Sequence, residues 1–294
     1  MPSILPQLIV NGLIAGSMYA LAASGFSLVH YVLKFFNFAQ GALIGISAYL
    51  FFLFFSVMGL NYVLSIMLCL ILSVLISLLL NNLIYKRLRK RKATNVVLMI
   101  SSLALMIFSS SLILAVFGSS TKVINSSKFN KPIVLGFFTI TKLQIAIILA
   151  SLVLFMLLWI VIRKTRSGKA MRALADNKEV AQVVGINPEK IYRLTFAIAG
   201  IVGAIAGILI GLEQNLYPQM GVPMIVKGFI SSVIGGMSSV PGSIIGGFFI
   251  GLVENVGIWF LPSGYKDAIS FTILLLFLLL RPQGIFGVRT RDDN

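Results

Sequence analysis

The chain has 294 residues, of which 58% are hydrophobic and only 11% are charged. A water-soluble fold of this length could not bury so much apolar surface, so the composition excludes one and indicates a membrane protein. The net charge of +16 would suggest nucleic acid in a soluble protein, but here the basic residues lie between apolar runs, where anionic lipid headgroups are sufficient partners, and we expect no nucleic acid.

The apolar runs are long and continuous, which favours transmembrane helices over the alternating strands of a barrel. A shorter stretch, roughly 226–239, is broken by Gly235, Gly236 and Pro241 and is typical of a half-helix or re-entrant segment. We predict one all-α, polytopic membrane domain over residues 1–294, with eight spans, or nine if the short stretch crosses. The spans are predicted at roughly 6–29, 40–58, 62–84, 95–117, 143–162, 193–212, 241–260 and 267–281.

The basic residues also predict the orientation. Most of the 24 Lys and Arg lie between Lys86 and Lys92, in the segment 163–193 and in the tail after Leu280, and the positive-inside rule places these in the cytoplasm. The C-terminus is then cytoplasmic, the N-terminus is outside, and the stretch 226–239 must cross. A smaller group of lysines falls outside, and four of them, in the loop 118–142, count slightly against this orientation. This outer group comprises Lys122, Lys128, Lys131, Lys142, Lys227 and Lys266.

Glycines recur at intervals of four residues, which is about one helical turn, and so form flat stripes that another helix can approach closely. The spacing is consistent with packing inside the chain, or with a subunit interface or solute path, and does not separate these alternatives. The stripes are Gly12 and Gly16, Gly41 and Gly45, Gly203, Gly207 and Gly211, Gly242 and Gly246, and Gly247 and Gly251.

Three polar residues lie within or at the start of apolar runs. Glu254 is well inside a predicted span, where an unpaired charge is costly, so it either serves the solute path or bonds to a neighbouring helix. Asn37 and Gln40, in NFAQG, begin the second span and either cap the helix or contact a polar solute. All three are candidates for the solute path. Cys69 is the only cysteine, so no thiolate metal cluster is possible, and we expect no cofactor.

The segment 164–192 has the pattern of a short amphipathic helix between two spans. Ala170, Met171, Leu174 and Ala175 recur at helical spacing, and Val180, Val183 and Val184 continue the apolar face. Gly185, followed by Asn187-Pro188, is typical of a helix end. Such a helix lies on the membrane or docks into a groove of a soluble partner.

Glu179-Val180-Ala181, followed by Gly185, resembles the loop through which permeases of ABC importers contact their ATPase subunits. Residues 11–49, 168–209, 228–256 and the ending RPQGIFG resemble the high-affinity branched-chain amino acid permease family along nearly the whole chain. The resemblance implies that Asp176, Glu179, Ala181 and Gly185 belong to the coupling loop. One departure is Gln40, where the family usually has His within Asn-Phe-Ala-His-Gly, and Gln cannot titrate.

The family implies a bacterial inner-membrane machine with a second homologous permease chain, two ATP-binding cassette ATPases and an extracytoplasmic protein that delivers leucine, isoleucine or valine. Two alternatives stay open: the same machine importing urea, short amides or another small solute, and a stand-alone channel or secondary carrier. The nearest match to a phosphate-binding loop, Gly168-Lys169-Ala170, lacks both the hydroxyl residue and the upstream glycine, so we expect no ATPase site and no enzyme activity in this chain.

Overall fold

The structure is a computed structural model that describes residues 4–124, 132–135 and 138–287. Within these ranges the chain is helical, apart from one two-stranded antiparallel hairpin of β1 (Pro132–Leu135) and β2 (Phe138–Thr141). The helices are α1 (Ile4–Leu33), α2 (Ala39–Phe52), α3 (Tyr62–Leu80), α4 (Lys86–Lys90), α5 (Asn95–Phe117), α6 (Lys142–Lys164), α7 (Arg166–Asp176), α8 (Lys178–Val183), α9 (Pro188–Glu213), α10 (Gly221–Gly235), α11 (Val240–Gly257) and α12 (Lys266–Leu280).

The prediction of eight spans is confirmed. Eight helical segments of the described chain are long and apolar enough to cross a bilayer, and their bounds fall close to the predicted ones. Two of them include π-helical turns, at Leu53–Val57 after α2 and at Asn81–Tyr85, which joins α3 to α4. The broken stretch is the separate 15-residue helix α10, too short to count among the eight.

The first helix is the centre of the bundle. In its most apolar 18-residue stretch, 83% of α1 is buried within the chain, against 6% for α12. Helices α6, α9, α10 and α11 all pack against α1, while α3, α5 and α12 present mostly exposed apolar surface. A helix that is apolar all round and buried on every side belongs in the interior of a bundle.

Glycines allow α1 and α11 to touch through their backbones. A Cβ added to Gly16 would lie 2.8 Å from Phe248 Cα, and one added to Gly247 would lie 2.6 Å from Ala20 Cα. Gly12 and Gly251 make the same kind of approach further along the pair. The two stripes therefore face each other, and packing inside the chain is confirmed for them.

The remaining glycine stripes also face helices of the same chain. Gly207 packs against Ser47 of α2, where an added Cβ would lie 2.8 Å from the serine Cβ. Gly41 abuts the start of α10 at Gly221 and Ile225, and Gly246 contacts Ser231 of α10. Close approach within one subunit thus accounts for the spacing.

Contacts between helix ends define the two sides of the bundle. On one side, the hairpin side, Gln7 near the start of α1 bonds to Thr139, and Lys122 pairs with Leu216. On the other, the α7–α8 side, Arg89 meets Glu189, and the backbone N–H of Phe286 donates to Gly235 at the end of α10. Helix α10 therefore runs from the hairpin side towards the α7–α8 side, as the predicted orientation requires.

Lys227, a member of the predicted outer group, lies within the bundle near the hairpin-side end of α10. Lys227 is in the second turn of α10, and only 6% of the residue is exposed. Its ammonium group is retained there because carboxylates from α11 and α12 reach it. Lys128 and Lys131 of the same predicted group, and Arg289 and Arg291 of the tail, lie outside the described residues.

Candidate functional site

The segment 164–192 folds as two helices, so the prediction of a single amphipathic helix with one continuous face is wrong. Asn177, with φ −147° and ψ 114°, separates α7 from α8. Its side-chain oxygen accepts hydrogen bonds from the backbone N–H groups of Glu179 and Val180, at 2.9 and 3.1 Å, and so caps α8. A side chain that satisfies the first N–H groups of a new helix favours a break at that point.

The break divides the apolar residues between two surfaces. Met171, Leu174 and Ala181 are buried together against Val32 of α1 and Tyr192 of α9. The three valines of the α8 end face away from the chain: Val180 is 58% exposed, Val183 87% and Val184 69%. We call these three residues the valine patch. One face of the α7–α8 unit therefore anchors it to the bundle, and the other is uncovered in this chain.

The predicted coupling residues lie around this unit with different exposures. Asp176 ends α7, Glu179 is in the first turn of α8, and both are exposed. Ala181 is 2% exposed, on the anchoring face. Gly185 has φ +85°, a left-handed conformation that ends α8, and nothing lies near the position of its missing Cβ. Glycine suits this position because other residues are strained there.

Asn37 lies in the linker between α1 and α2, Gln40 lies in the first turn of α2, and both are buried. The Tyr85 hydroxyl donates to Asn37 Oδ1 at 2.8 Å, and Gln40 Nε2 donates to the backbone oxygen of Ala199 at 3.0 Å. Gly25 and Gly203 leave the space that the Gln40 amide fills, since a Cβ at Gly203 would lie 3.0 Å from Gln40 Nε2. The two amides thus tie the linker and the start of α2 to neighbouring segments.

Glu254 belongs to a separate buried network. Its carboxylate contacts the ammonium of Lys227 and the hydroxyl of Ser270, and the Tyr19 hydroxyl donates to it at 2.8 Å. Lys227 also pairs with Asp267, at 2.8 Å, and donates to Ser270 at 2.8 Å. Asp267 is largely exposed, whereas Glu254 is fully buried. The network joins α1, α10, α11 and α12. Of the two arrangements that the sequence allows for Glu254, the structure shows the bond to neighbouring helices.

A cleft of about 340 Å³ opens on the hairpin side between α5 and the start of α10. We call it the outer cleft. Ile107, Ser110 and Ser111 of α5 line one wall, and Tyr217 and Gln219 line the other. Its size is within the range of small-molecule sites, and its lining is mainly apolar with a few hydroxyl and amide groups. The sequence prediction missed it, although the Tyr217-Pro218 break before a short helix was a usable signal.

Four phenylalanines continue the same wall deeper into the bundle. Phe36 and Phe38 of the linker contact Phe229 of α10, with ring centroids 5.8 and 5.9 Å apart, and all three pack on Phe26. Val222, which lines the outer cleft, belongs to this apolar group too. The arrangement joins the mainly apolar outer cleft to a partly exposed aromatic surface.

The family described as "Branched-chain amino acid transport system / permease component" matches residues 8–278. The chain belongs to this family. The permease is 30% identical to the high-affinity branched-chain amino acid transport system permease protein LivH of Escherichia coli K12, over 96% of this chain and 95% of the relative. It is 31% identical to BraD of Pseudomonas aeruginosa, with the same coverage.

Among solved structures, this permease resembles PsaBC from Streptococcus pneumoniae in complex with Fab, with a TM-score of 0.50 and 12% identity over 94% of this chain and 92% of that one. At that identity the likeness shows the fold alone. The resemblance to the branched-chain permease family, first indicated by the sequence motifs, is confirmed by the relatives, and the chain is a membrane transport permease.

The buried ion pair gives a test of the Glu254 network. Lys227→Met leaves Glu254 as a buried charge without its counter-ion, so we expect the free energy of unfolding to fall by about 3–5 kcal/mol. Glu254→Gln should cost less, because Lys227 keeps Asp267 and Ser270. The double variant should recover most of the loss. Unfolding in detergent measures all three, and a double variant no more stable than Lys227→Met would contradict the pairing.

Proposed function

We propose that this permease is the membrane-spanning subunit of an ATP-driven importer for leucine, isoleucine and valine. The observation that carries the proposal is the similarity to LivH and BraD over 96% of the chain. The machine would contain a second homologous permease chain, two ATP-binding cassette ATPases and an extracytoplasmic solute-binding protein. ATP hydrolysis belongs to the ATPases, and this chain is not an enzyme.

The proposed setting is the bacterial cytoplasmic membrane, with the α7–α8 side in the cytoplasm. That side carries the basic run from Lys86 to Lys92 and the basic residues of α7, and positive charge favours the cytoplasmic face. The last described residues, up to Gly287, lie on that side too, since the backbone of Phe286 bonds to the end of α10. The hairpin and the outer cleft then face the binding protein.

The α7–α8 unit would couple the ATPase to the bundle, with Asp176, Glu179, Ala181 and Gly185 as its coupling residues. The valine patch supplies an exposed apolar surface for an ATPase groove, and Glu179 places a charge beside it. The buried face of the same unit contacts α1 and α9 through Val32 and Tyr192. Movement of the docked partner would therefore reach the central helix directly.

We place the solute path along the outer cleft and the phenylalanines below it. Interrupted helices mark solute sites in many transporters, and both α2 and α10 begin here after irregular segments. Asn37, Gln40 and Glu254 remain candidates for the path, and we propose that they act by holding the linker and α10 in place. None of the described residues that line the cleft is charged, which suits a solute with an aliphatic side chain better than an anion.

A substitution in the valine patch tests coupling. Val183→Asp puts a charge into the proposed apolar interface, and we expect at least about a tenfold loss of ATPase co-purified with the permease. Because Val183 is 87% exposed, folding should be unaffected. Arg91→Gln, which removes one positive charge at an exposed site on the same side, is the control. Equal retention of the ATPase by Val183→Asp and wild type would contradict docking at α8.

A bulky residue in the outer cleft tests the path. Ile107→Trp fills part of the cleft, and uptake of leucine should fall at least about tenfold while the ATPase still co-purifies. Leu112→Trp enlarges an exposed residue of the same helix that does not line this cleft, and should transport normally. Normal uptake by Ile107→Trp would show that the solute passes elsewhere. Uptake of urea or short amides in preference to leucine would instead favour the alternative substrate class.

A further inference from the structure

A second cleft lies at the other end of the bundle, between α1, α6, α7 and α11. Its volume is about 710 Å³, roughly twice that of the outer cleft. It opens where α6 ends and α11 begins, on the α7–α8 side. We call it the basic cleft, because Arg163 and Arg172 lie on its rim.

One of the two arginines is fixed in place. Arg172 Nη1 donates to the backbone oxygens of Ile162 and Arg163, at 2.8 and 3.2 Å, and so caps the carboxyl end of α6. A guanidinium group has five N–H donors, so the others stay available to the cleft. Arg163 is exposed beside it. Both lie close enough to Tyr31, which also lines the cleft, to interact with it electrostatically.

The net charge of the rim stays positive when the neighbouring residues are included. Asp176 is the acidic neighbour that interacts electrostatically with Tyr31, and it also interacts with Lys34, whose positive charge offsets it. Ser238 adds an exposed hydroxyl, and the amino end of α11 adds the positive end of its dipole. The rim therefore offers two guanidinium groups and a hydroxyl donor to an anion.

The floor of the cleft has the opposite character. Phe155, Trp159, Ile244 and Ile245 line it, and Trp159 and Ile245 are each 47% exposed. These residues belong to the spans α6 and α11, so the floor continues down the lipid-facing surface of the bundle. Tryptophan is enriched at the level of lipid headgroups. A positive rim above an apolar wall at this depth matches the two parts of a phospholipid.

We propose that the basic cleft binds one anionic phospholipid of the leaflet on the α7–α8 side. The phosphate lies between Arg163 and Arg172, Ser238 donates to it, and an acyl chain covers Phe155 and Ile245. Basic pockets between transmembrane helices are suited to such headgroups. A free phosphate would leave the apolar floor uncovered. The inference concerns the chain's own surface and does not depend on the transported solute.

The test is retention of phosphatidylglycerol by the full chain, purified with any chains that accompany it and examined by native mass spectrometry. We expect one phosphatidylglycerol to survive delipidation in wild type and its occupancy to fall about fivefold in Arg163→Gln. Lys164→Gln removes the same charge from the next residue, which does not line the cleft, and should retain the lipid. Equal losses in the two variants would overturn the proposal in favour of diffuse surface attraction.

Two further experiments distinguish an anionic phospholipid from a free phosphate as the ligand. Ile245→Trp fills the floor without altering charge, and it should displace phosphatidylglycerol while leaving the fold intact by thermal unfolding. Phosphatidylglycerol should raise the unfolding temperature of wild type, whereas phosphatidylcholine and inorganic phosphate should not. Stabilisation by inorganic phosphate equal to that by phosphatidylglycerol would overturn the lipid assignment, as would unchanged lipid retention in Ile245→Trp.

Discussion

The backbone contact between α1 and α11 is the interaction on which the other helices depend. Lipid tails are as apolar as leucine, so helices in a bilayer associate through close packing rather than through the hydrophobic effect. Gly16 and Gly247 allow that packing because neither has a side chain to hold the helices apart. Helices α6, α9 and α10 then complete the wall around α1. In the proposed importer, a displacement of the central helix would therefore reach every helix that packs against it.

Polar side chains inside the bundle link neighbouring helices through hydrogen bonds and an ion pair. The Lys227–Glu254 pair connects α10 to α11 and reaches α1 through Tyr19. Asn37 connects the linker to Tyr85, and Gln40 connects the start of α2 to Ala199. Buried charges are retained in membranes only with such partners. Lys227 lies in α10, whose first turn lines the outer cleft, and Asn37 lies between Phe36 and Phe38 of the neighbouring aromatic group. We propose that these bonds hold the irregular backbone in place beside the solute path, since discontinuous helices form the substrate sites of many transporters.

The spans were predictable because hydropathy is a local property of twenty or so residues, and the observed bounds follow it closely. The ion pair of Lys227 was not predictable in the same way, because its partner Glu254 lies 27 positions further along the chain. The sequence does contain a helix-start signal at Asn177, an Asn followed two residues later by Glu179. The apolar residues on both sides of it nevertheless favoured the prediction of one continuous helix. The two clefts arise from distant segments that no local pattern brings together.

In the proposed importer, this permease moves its solute only when a partner ATPase supplies the energy. The direct test is uptake of radiolabelled leucine by proteoliposomes that hold the purified complex and its binding protein, with and without ATP on the α7–α8 side. We expect uptake that requires both ATP and the ATPase chains. Full-rate uptake by this chain alone without ATP would contradict it and would establish a channel or secondary carrier.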